Sequence, residues 1–318
     1  MSESDSPVPR VSVVIASHRA AFLRGLLPAL AHQTMPPADF EVIAVCDYPV
    51  DRLQAEFPGV FFHFVKNRSI SRKRNDGVRA ARAAVVAFID DDCVPSSDWV
   101  AGGLAFLADK PGIAAVEGFT TIENTRYKPP PLREYRRLER PGYRTNNIFY
   151  RKQAFLDAGG FDERFTVQRE DIDLAFTILG QGLSISHAAD IHVMHRVRKN
   201  EPWDLLKNCI NRRFDPLLFK KHPAAYREHV GSPFPPSLLM LLGFHAATGV
   251  LAAAGVPFFI AAVAADIAAV SVLAARRCGR RCAISAVTVE WLSCFAAPLV
   301  LLAALIYGSA RYRRLLVV

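Results

Sequence analysis

Three consecutive aspartates, Asp90, Asp91 and Asp92, directly follow the apolar run Val85–Ile89. The run is short, continuous and rich in β-branched residues, so it predicts a buried strand. Three adjacent like charges at the end of a strand repel each other unless a cation neutralises them. A hard divalent ion such as Mg²⁺ or Mn²⁺, shared with phosphate oxygens, is the usual solution. An acidic turn that caps a helix beginning near Ser97 is the alternative interpretation.

The last quarter of the chain is strongly apolar. Residues 238–275 contain few polar side chains, and as one helix they would be about 57 Å long, nearly twice the roughly 30 Å hydrocarbon core of a bilayer. Two helices that turn at Gly255 fit better. Buried core helices are the alternative, but flanking arginines favour a membrane region. We therefore predict a transmembrane region at 237–310 and a basic tail at 311–318. Its helices, about three, are predicted at 238–254, 257–275 and 284–307.

The basic excess of the chain lies in this region. The net charge is +9, and residues 238–318 contain seven arginines but only two acidic residues. Because the rest of the chain has no strong basic excess, we expect no nucleic-acid partner. The arginine cluster at 276–281 should face the cytoplasm, which predicts a multi-pass protein of the inner (plasma) membrane with a cytoplasmic N-terminal domain. Three crossings would leave the arginines of the tail outside, which the same rule disfavours. Either the third segment is re-entrant or the first stretch is not a true hairpin.

The N-terminal part of the chain alternates strands and helices. It follows a polar tail at 1–10 that lacks the apolar core of a secretory signal. Such alternation predicts an α/β domain with a largely parallel sheet covered by helices on both faces. The strands are predicted at Val11–Ala16, Phe40–Cys46, Val60–Val65 and Val85–Ile89. The helices between them are predicted at Ala20–Ala31, Asp51–Phe57 and Ser71–Ala83.

Polar residues follow each predicted strand. Ser17, His18 and Arg19 come after the first strand, Asp47 after the second, Asn67-Arg68 after the third and the three aspartates after the fourth. In open α/β sheets, ligands bind outside the carboxyl ends of the strands. These residues therefore predict one ligand site at one edge of the sheet. The glycine-rich dinucleotide and P-loop motifs are absent from the sequence, which argues against those two kinds of site.

Two further segments carry candidate chemistry. Glu170 and Asp171 begin a helix that ends near Gly180, where acidic residues cap a helix but could also supply a general base. His195 ends a strand-like stretch at 190–194, where a neutral imidazole is either structural or a metal ligand. The six cysteines lack the spacing of a metal site and are expected to be free thiols.

Together these motifs resemble the family-2 glycosyltransferases, inverting enzymes of the GT-A fold that use nucleotide-diphosphate-sugar donors. The resemblance covers about residues 11–197 and predicts a GT-A catalytic domain at 11–200. Each motif is weak alone, but their order and spacing are specific. The motifs are Val11–Ile15, Asp47, Lys73–Gly77, Phe88–Pro95, Asn146-Asn147, Gly159–Asp162, Glu170–Leu174 and His195.

The resemblance implies a role for each candidate residue. Asp171 would be the base that activates the acceptor hydroxyl, with Glu170 beside it. Asp92 and His195 would hold the divalent metal, Mg²⁺ or Mn²⁺, that bridges the donor diphosphate. The nucleotide sugar would be bound by Ser17, Asp47, Arg74, Asp90 and Asp91.

The remaining segments bear on the acceptor. The Gln-x-x-Arg-Trp motif of processive polysaccharide synthases is absent, and Asn211–Phe214 is the nearest segment, so we expect transfer of a single sugar. The basic, aromatic segment 201–236 predicts either an interfacial element on anionic lipid or a domain-closing helix. The stretch from Lys128 to Arg144 predicts an acceptor-side loop that could close over the diphosphate, or a surface strap.

The interfacial interpretation makes a membrane-associated or lipid-linked glycan the expected acceptor, in cell-envelope or glycolipid assembly. Transfer to polyprenyl phosphate and a catalytically inactive, nucleotide-sugar-binding membrane scaffold are the alternatives.

Overall fold

The computed structural model describes residues 8–66, 69–124, 136–197, 203–253, 255–278 and 284–315. The described residues form two compact units, one comprising residues up to 124 and from 136 to 197, and the other comprising residues from 203 onward. Several segments considered above lie outside the described residues. These are residues 1–7, Asn67-Arg68, residues 125–135 and Arg280-Arg281.

The first unit is an α/β structure. Its strands are β1 Val11–Ser17, β2 Phe40–Cys46, β3 Val60–Phe64, β4 Val85–Ile89, β5 Cys93–Pro95, β6 Ile113–Ile122, β7 Asn147–Arg151 and β8 Ser184–His195. Its helices are α1 Ala20–Ala31, α2 Asp51–Glu56, α3 Ile70–Ala80, α4 Trp99–Asp109, α5 Lys152–Asp157 and α6 Glu170–Gly180, with a 3-10 turn at Arg136–Glu139.

The strands form one mixed sheet in the order β3-β2-β1-β4-β7-β6-β8-β5. The first four in this order run parallel, as predicted. β7 runs antiparallel to both β4 and β6, whereas β6 and β8 are parallel and β5 closes the edge antiparallel to β8. The four strands predicted from the sequence are confirmed to within one residue at each end. The predicted stretch at 190–194 is the end of the longer strand β8, and β5, β6 and β7 were not predicted.

The centre of the sheet explains one of the glycines in the motifs. All side chains of β1 and β4 are buried, and helix α3 packs on β1 through Gly77. A Cβ atom added to Gly77 would lie 2.4 Å from Val14 Cγ1, which is too close for any side chain. Glycine therefore lets α3, which carries Lys73 and Arg74, lie directly on the sheet.

The second unit is helical. Its helices are α7 Asp204–Asn211, α8 Asp215–Lys221, α9 Pro223–His229, α10 Pro236–Leu251, α11 Val256–Cys278 and α12 Ile284–Tyr312, with a 3-10 turn at Arg212–Phe214. The predicted break at Gly255 is present, with φ +118°. Helices α11 and α12 are long and apolar enough to cross a membrane, with mean hydropathies of 2.3 and 2.1, whereas α10 has 16 residues and is shorter.

Polar side chains inside this unit have partners on neighbouring helices. His245 of α10 makes hydrogen bonds to Asp266 Oδ2 of α11 at 2.7 Å and to the Phe295 carbonyl oxygen of α12 at 2.9 Å. Arg277 pairs with Glu290 between α11 and α12. Such contacts satisfy polar groups whose burial among apolar side chains would otherwise cost free energy.

The basic segment predicted at 201–236 forms the short helices α7, α8 and α9. Buried Leu205 and Cys209 of α7 share one apolar cluster with Leu238 of α10 and Leu301 of α12. In the same segment, the Tyr226 hydroxyl donates to buried Asp215 at 2.9 Å. The segment is therefore packed against the apolar helices, an arrangement that is compatible with both interpretations offered for it.

Candidate active site

The carboxyl ends of β1, β2 and β4 bring the predicted ligand-binding residues together. Ser17 is the last residue of β1, Asp47 directly follows β2, and the three aspartates directly follow β4. Ser17 Oγ donates to Asp91 Oδ2 at 2.6 Å and lies 2.7 Å from the Tyr48 hydroxyl. The edge predicted from the strand pattern is thus one connected polar surface.

Each of the three aspartates faces a different partner. Asp90 accepts from Arg74 Nη2 at 2.8 Å, and Asp91 accepts from Ser17 and, at 3.3 Å, from the backbone N–H of His18. Asp92 Oδ1 lies 3.3 Å from His195 Nε2. Two of the three carboxylates therefore accept hydrogen bonds from the protein, and one of these donors, Arg74, is a cation. Burial raises the pKa of Asp91 to about 6, since the Ser17 hydrogen bond only partly offsets it.

Asp92 and His195 have the chemistry of a metal site. Both residues are 5% exposed, and the antiparallel pairing of β5 with β8 holds them side by side. His195 Nδ1 lies 2.8 Å from the Arg196 carbonyl oxygen, which can only accept, so Nδ1 carries the hydrogen. In its neutral form the ring would direct the lone pair of Nε2 towards the Asp92 carboxylate, whereas the protonated ring would form an ion pair with it. Two electron-pair donors that face each other in this way fit a divalent cation, and such a carbonyl commonly orients a metal-binding histidine.

A cysteine, Cys93, lies beside Asp92 and His195. Potential ligand atoms of Asp92, Cys93 and His195 all lie within 4.8 Å of one another. Cys93 is part of the apolar core of the first unit and is fully buried. The oxygen and nitrogen of the other two residues are the ligands that Mg²⁺ or Mn²⁺ would take, because these ions prefer harder donors than sulfur.

Arg74 connects the triple aspartate to helix α6. Its guanidinium is 3% exposed and donates to Asp90 at 2.8 Å and to Glu170 Oε1 at 2.7 Å. It also lies over the Phe161 ring, 5.7 Å from the centroid. Burial disfavours the charge, but the neighbouring carboxylates outweigh it and raise the pKa of Arg74. A fixed cation therefore spans two acidic motifs that are 80 residues apart in the sequence.

Glu170 and Asp171 occupy different environments. Glu170 is buried, and its Oε2 has no hydrogen-bond partner among the residues that the structure describes. Burial and the charge of Asp171 raise the pKa of Glu170, and Arg74 offsets part of this effect. Asp171 is only half-buried, and its Oδ1 accepts from the Ile172 backbone N–H at 2.8 Å. Burial also raises the pKa of Asp171, which makes its carboxylate a stronger base.

Comparison with known proteins decides which family has this arrangement. Residues 12–165 match the family model "Glycosyl transferase family 2". The chain contains a glycosyl transferase family 2 domain. It is therefore a glycosyltransferase, and family-2 glycosyltransferases take their sugar from a nucleotide-sugar donor.

Two curated glycosyltransferases show the extent of the sequence similarity. Glycosyltransferase AglE of Haloferax volcanii is 24% identical over 217 residues, which cover 61% of this chain and 69% of AglE. Validoxylamine A glucosyltransferase of Streptomyces hygroscopicus subsp. limoneus is 27% identical over 281 residues, which cover 72% of this chain and 60% of that relative. The chain thus spans less than two thirds of the second protein.

A solved structure shows the fold. The mannosyltransferase PcManGT from Pyrobaculum calidifontis, in complex with GDP-Man and Mn²⁺, has a TM-score of 0.60 and 20% identity. The match covers 95% of this chain and 88% of PcManGT. It confirms the predicted GT-A fold, a mixed sheet flanked by helices and followed by apolar C-terminal helices. The roles assigned to individual site residues remain predictions.

The family-2 glycosyltransferase domain contains a buried acidic anchor that the sequence did not reveal. Glu117 of β6 accepts backbone N–H groups from Gly142, Tyr143 and Arg144 at 2.7–3.1 Å, and lies 3.2 Å from His187 Nδ1. This contact fixes the described end of the stretch predicted as an acceptor-side loop. It also gives His187, which had no predicted role, a carboxylate partner.

Two asparagines explain other parts of the family-2 motifs. The side-chain amide of Asn75 makes hydrogen bonds to both backbone polar groups of Phe161, at 2.8 and 3.0 Å, and so holds the turn that contains Gly160. Gly160 has φ +68°, a conformation that favours glycine. Asn147 accepts from the Trp99 indole at 2.8 Å and donates to two carbonyls on neighbouring strands. These residues position the site and do not line it.

We predict that Arg74→Met will lower the free energy of unfolding by about 3–5 kcal/mol, because Glu170 and Asp90 lose their buried counter-ion. Urea unfolding of the detergent-solubilised chain, followed by tryptophan fluorescence, measures the change. Replacing Glu170 as well, in Arg74→Met/Glu170→Met, should recover a large part of the loss.

Arg79→Met is the matched control, since Arg79 lies on the exposed side of the same helix and pairs with Asp76 near the surface. Its effect should stay within about 0.5 kcal/mol. An Arg74 variant that is no less stable than this control would contradict a stabilising role for the two ion pairs.

Proposed function

We propose that the protein transfers a single sugar from a nucleotide-diphosphate sugar to a hydroxyl acceptor, with a divalent metal and with inversion at the anomeric carbon. The observation that carries this proposal is the bridge through Arg74. It joins the strand-end aspartates, which suit a metal and a diphosphate, to the helix that presents half-buried Asp171. The two kinds of group that such a reaction needs therefore share one structural support.

Residues Asp92 and His195 would hold the metal in this reaction. A bound Mg²⁺ or Mn²⁺ would stabilise the negative charge that develops on the leaving nucleoside diphosphate. The Mn²⁺ and GDP-Man of PcManGT support the same type of donor complex here. Ser17, Asp47, Asp90 and Asp91 would bind the remainder of the donor along the edge of the sheet.

Asp171 would act as the general base. Glu170 points to Arg74 and is buried, so one carboxylate of this pair is left partly exposed to an acceptor. One base that deprotonates the acceptor hydroxyl supports a single in-line displacement, which inverts the anomeric configuration. A retaining mechanism would need a second carboxylate as nucleophile, by analogy with retaining glycoside hydrolysis.

The acceptor that we propose is a membrane-associated or lipid-linked glycan. Helices α11 and α12 support it because they expose apolar side chains such as Phe258, Ile260 and Ile306, each 60% exposed or more. A soluble hydroxyl compound is the competing acceptor, since one relative is named for its action on validoxylamine A. Comparing transfer to a lipid-linked glycan in vesicles with transfer to soluble glycosides distinguishes the two.

We also propose two membrane crossings in place of the three predicted from the sequence. Lys220 Nζ of α8 donates to the Tyr312 carbonyl at 3.0 Å, and Arg314 lies over the Phe219 ring, 5.2 Å from its centroid. The carboxyl end of α12 therefore lies beside the helices that precede α10. An even number of crossings satisfies this contact, and α10, about 24 Å long, is the helix too short to cross.

This topology places the arginine cluster at 276–281 outside, contrary to the prediction from the sequence, but it agrees with the charge rule when the basic residues on each side are counted. The basic residues of α8, α9 and the tail would lie on one face and outnumber those of the loop between α11 and α12. That face would be cytoplasmic, together with the catalytic domain, in the plasma membrane. We expect epitope tags at both chain ends to be protected from added protease in intact cells. A tag inserted between Arg277 and Ile284 should be cleaved, and cleavage of the C-terminal tag instead would indicate three crossings.

The donor and metal assignments predict a common result. Incubation with a panel of nucleotide sugars and Mn²⁺ should consume one donor, and excess chelator should stop this consumption.

Asp92→Asn should weaken metal-dependent donor binding at least tenfold by calorimetry, since it removes a proposed metal ligand. Asp109→Asn, on the exposed end of α4, should bind as the wild type does. Full-speed turnover in chelator, with no metal retained, would refute the metal-dependent proposal.

The base assignment predicts that Asp171→Asn will lower sugar transfer to a hydroxyl acceptor about 10³-fold while donor binding is unchanged. Polyprenyl phosphate is already an anion and needs no base, so a small effect of this substitution would identify that acceptor class instead.

Mass spectrometry of the product tests whether a single sugar is transferred. One added sugar is expected, and a ladder of longer products would indicate a polymerase.

A further inference from the structure

The donor edge contains a lysine that the proposed mechanism does not use. Lys73 of α3 is completely buried, at 0% exposure. Its Nζ donates to the Ser17 carbonyl at 2.6 Å and lies 2.9 Å from His18 Nδ1 and 3.5 Å from Asp47 Oδ1. A buried ammonium is costly unless it is paired and hydrogen-bonded. All of its partners lie at the carboxyl ends of β1 and β2, so its charge is directed at the ligand edge.

His18 cannot satisfy both of its neighbours with one nitrogen. Its Nδ1 lies 2.9 Å from Lys73 Nζ and 2.9 Å from Asp47 Oδ2. An ammonium can only donate, whereas an ionised carboxylate can only accept. If the charged lysine donates to Nδ1, the ring hydrogen lies on Nε2. Without the lysine, Nδ1 would carry the hydrogen and donate to Asp47, and Nε2 would become an acceptor.

The position of His18 makes this choice relevant to the ligand. Its side chain is 36% exposed although Nδ1 is held against buried groups, and Asp47 is 7% exposed. Nε2 lies on the opposite side of the ring from Nδ1. Burial raises the pKa of the Asp47 carboxyl, and the charge of Lys73 is among the contacts that lower it overall. An ionised carboxylate oxygen accepts more than one hydrogen bond, so Asp47 can also bind a donor group of a ligand.

We propose that Lys73 is a positioning residue that fixes His18 as a hydrogen-bond donor, through Nε2–H, to the nucleoside part of the sugar donor. This inference rests on the proposed function, since it concerns the nucleoside end of the same donor site. His18 and Asp47 then present a donor and an acceptor side by side, a pair that complements the edge of a nucleobase. Lys73 acts through His18 and does not touch the ligand.

The test uses the full chain in detergent and isothermal calorimetry with Mn²⁺. The ligands are UDP, GDP, dTDP, CDP and ADP, with inorganic pyrophosphate as a probe that lacks a nucleoside. Lys73→Met and His18→Phe should each weaken the best nucleoside diphosphate about tenfold, the usual scale for losing one hydrogen bond at a site built for it. Pyrophosphate binding should change less than twofold, and His18→Gln, which keeps an N–H donor, should recover part of the loss.

The decisive measurement is the double variant Lys73→Met/His18→Phe. Both substitutions remove the same hydrogen bond, so the double variant should bind nucleotide no more weakly than the worse single variant. Lys152→Met is the matched control, because Lys152 lies at the opposite edge of the sheet from the ligand site. Its Nζ donates to the Ala81 carbonyl at 2.5 Å, next to the amino end of β4. It should leave nucleotide binding within twofold of the wild type.

The outcomes separate this inference from the proposed function. A wild-type protein that binds none of the five nucleotides would refute the proposed function itself. Nucleotide binding that is unchanged in His18→Phe, additive in the double variant, or lost together with pyrophosphate binding would overturn the role of Lys73 and His18. If Lys73→Met does not fold, judged by thermal unfolding, nucleotide binding that is unchanged in His18→Phe still overturns the proposal.

Discussion

The buried guanidinium of Arg74 is the interaction on which the arrangement of the site depends. It lies at the surface of the sheet only because Gly77, one turn further along α3, lets the helix approach β1. From there it holds Asp90 at the end of β4 and Glu170 at the start of α6. A buried cation with two carboxylates is stable only while all three remain in place. The geometry of the strand-end aspartates and of the start of α6 is therefore coupled through one charge.

This coupling also gives two adjacent acidic residues, Glu170 and Asp171, different environments. Sequence alone does not distinguish Glu170 from Asp171, because either could cap α6 or serve as a base. In the structure, Glu170 is committed to Arg74, whereas Asp171 remains half-buried beside the positive end of the helix. The raised pKa of Asp171 follows from burial, and Arg74 and Arg144 limit the rise. Its raised pKa makes this carboxylate a better proton acceptor than a solvent-exposed one.

Much of the fold could be predicted because the strands up to β4 are continuous apolar runs, each followed by polar residues. Their carboxyl ends meet at one edge in any parallel sheet, which placed Ser17, Asp47 and Asp90 correctly relative to one another. The later strands were missed for physical reasons. β6 contains Glu117 and Gly118, and β7 is a short run that leads directly into α5, so neither shows a clear pattern. The contacts of Glu117 and Lys73 were equally hidden, since charged residues are seldom buried and their partners lie far away in sequence.

The helical unit shows the same limit for charge patterns near a membrane. The arginines of 276–281 and of the tail look equivalent in the sequence, so the charge rule alone could not decide between two and three crossings. The contacts of Lys220 with Tyr312 and of Arg314 with Phe219 place the tail beside α8. Those cations then add to the basic residues of α8 and α9 and do not oppose them. In the proposed two-crossing topology, orientation therefore follows from which charges lie together in space and not from a count along the chain.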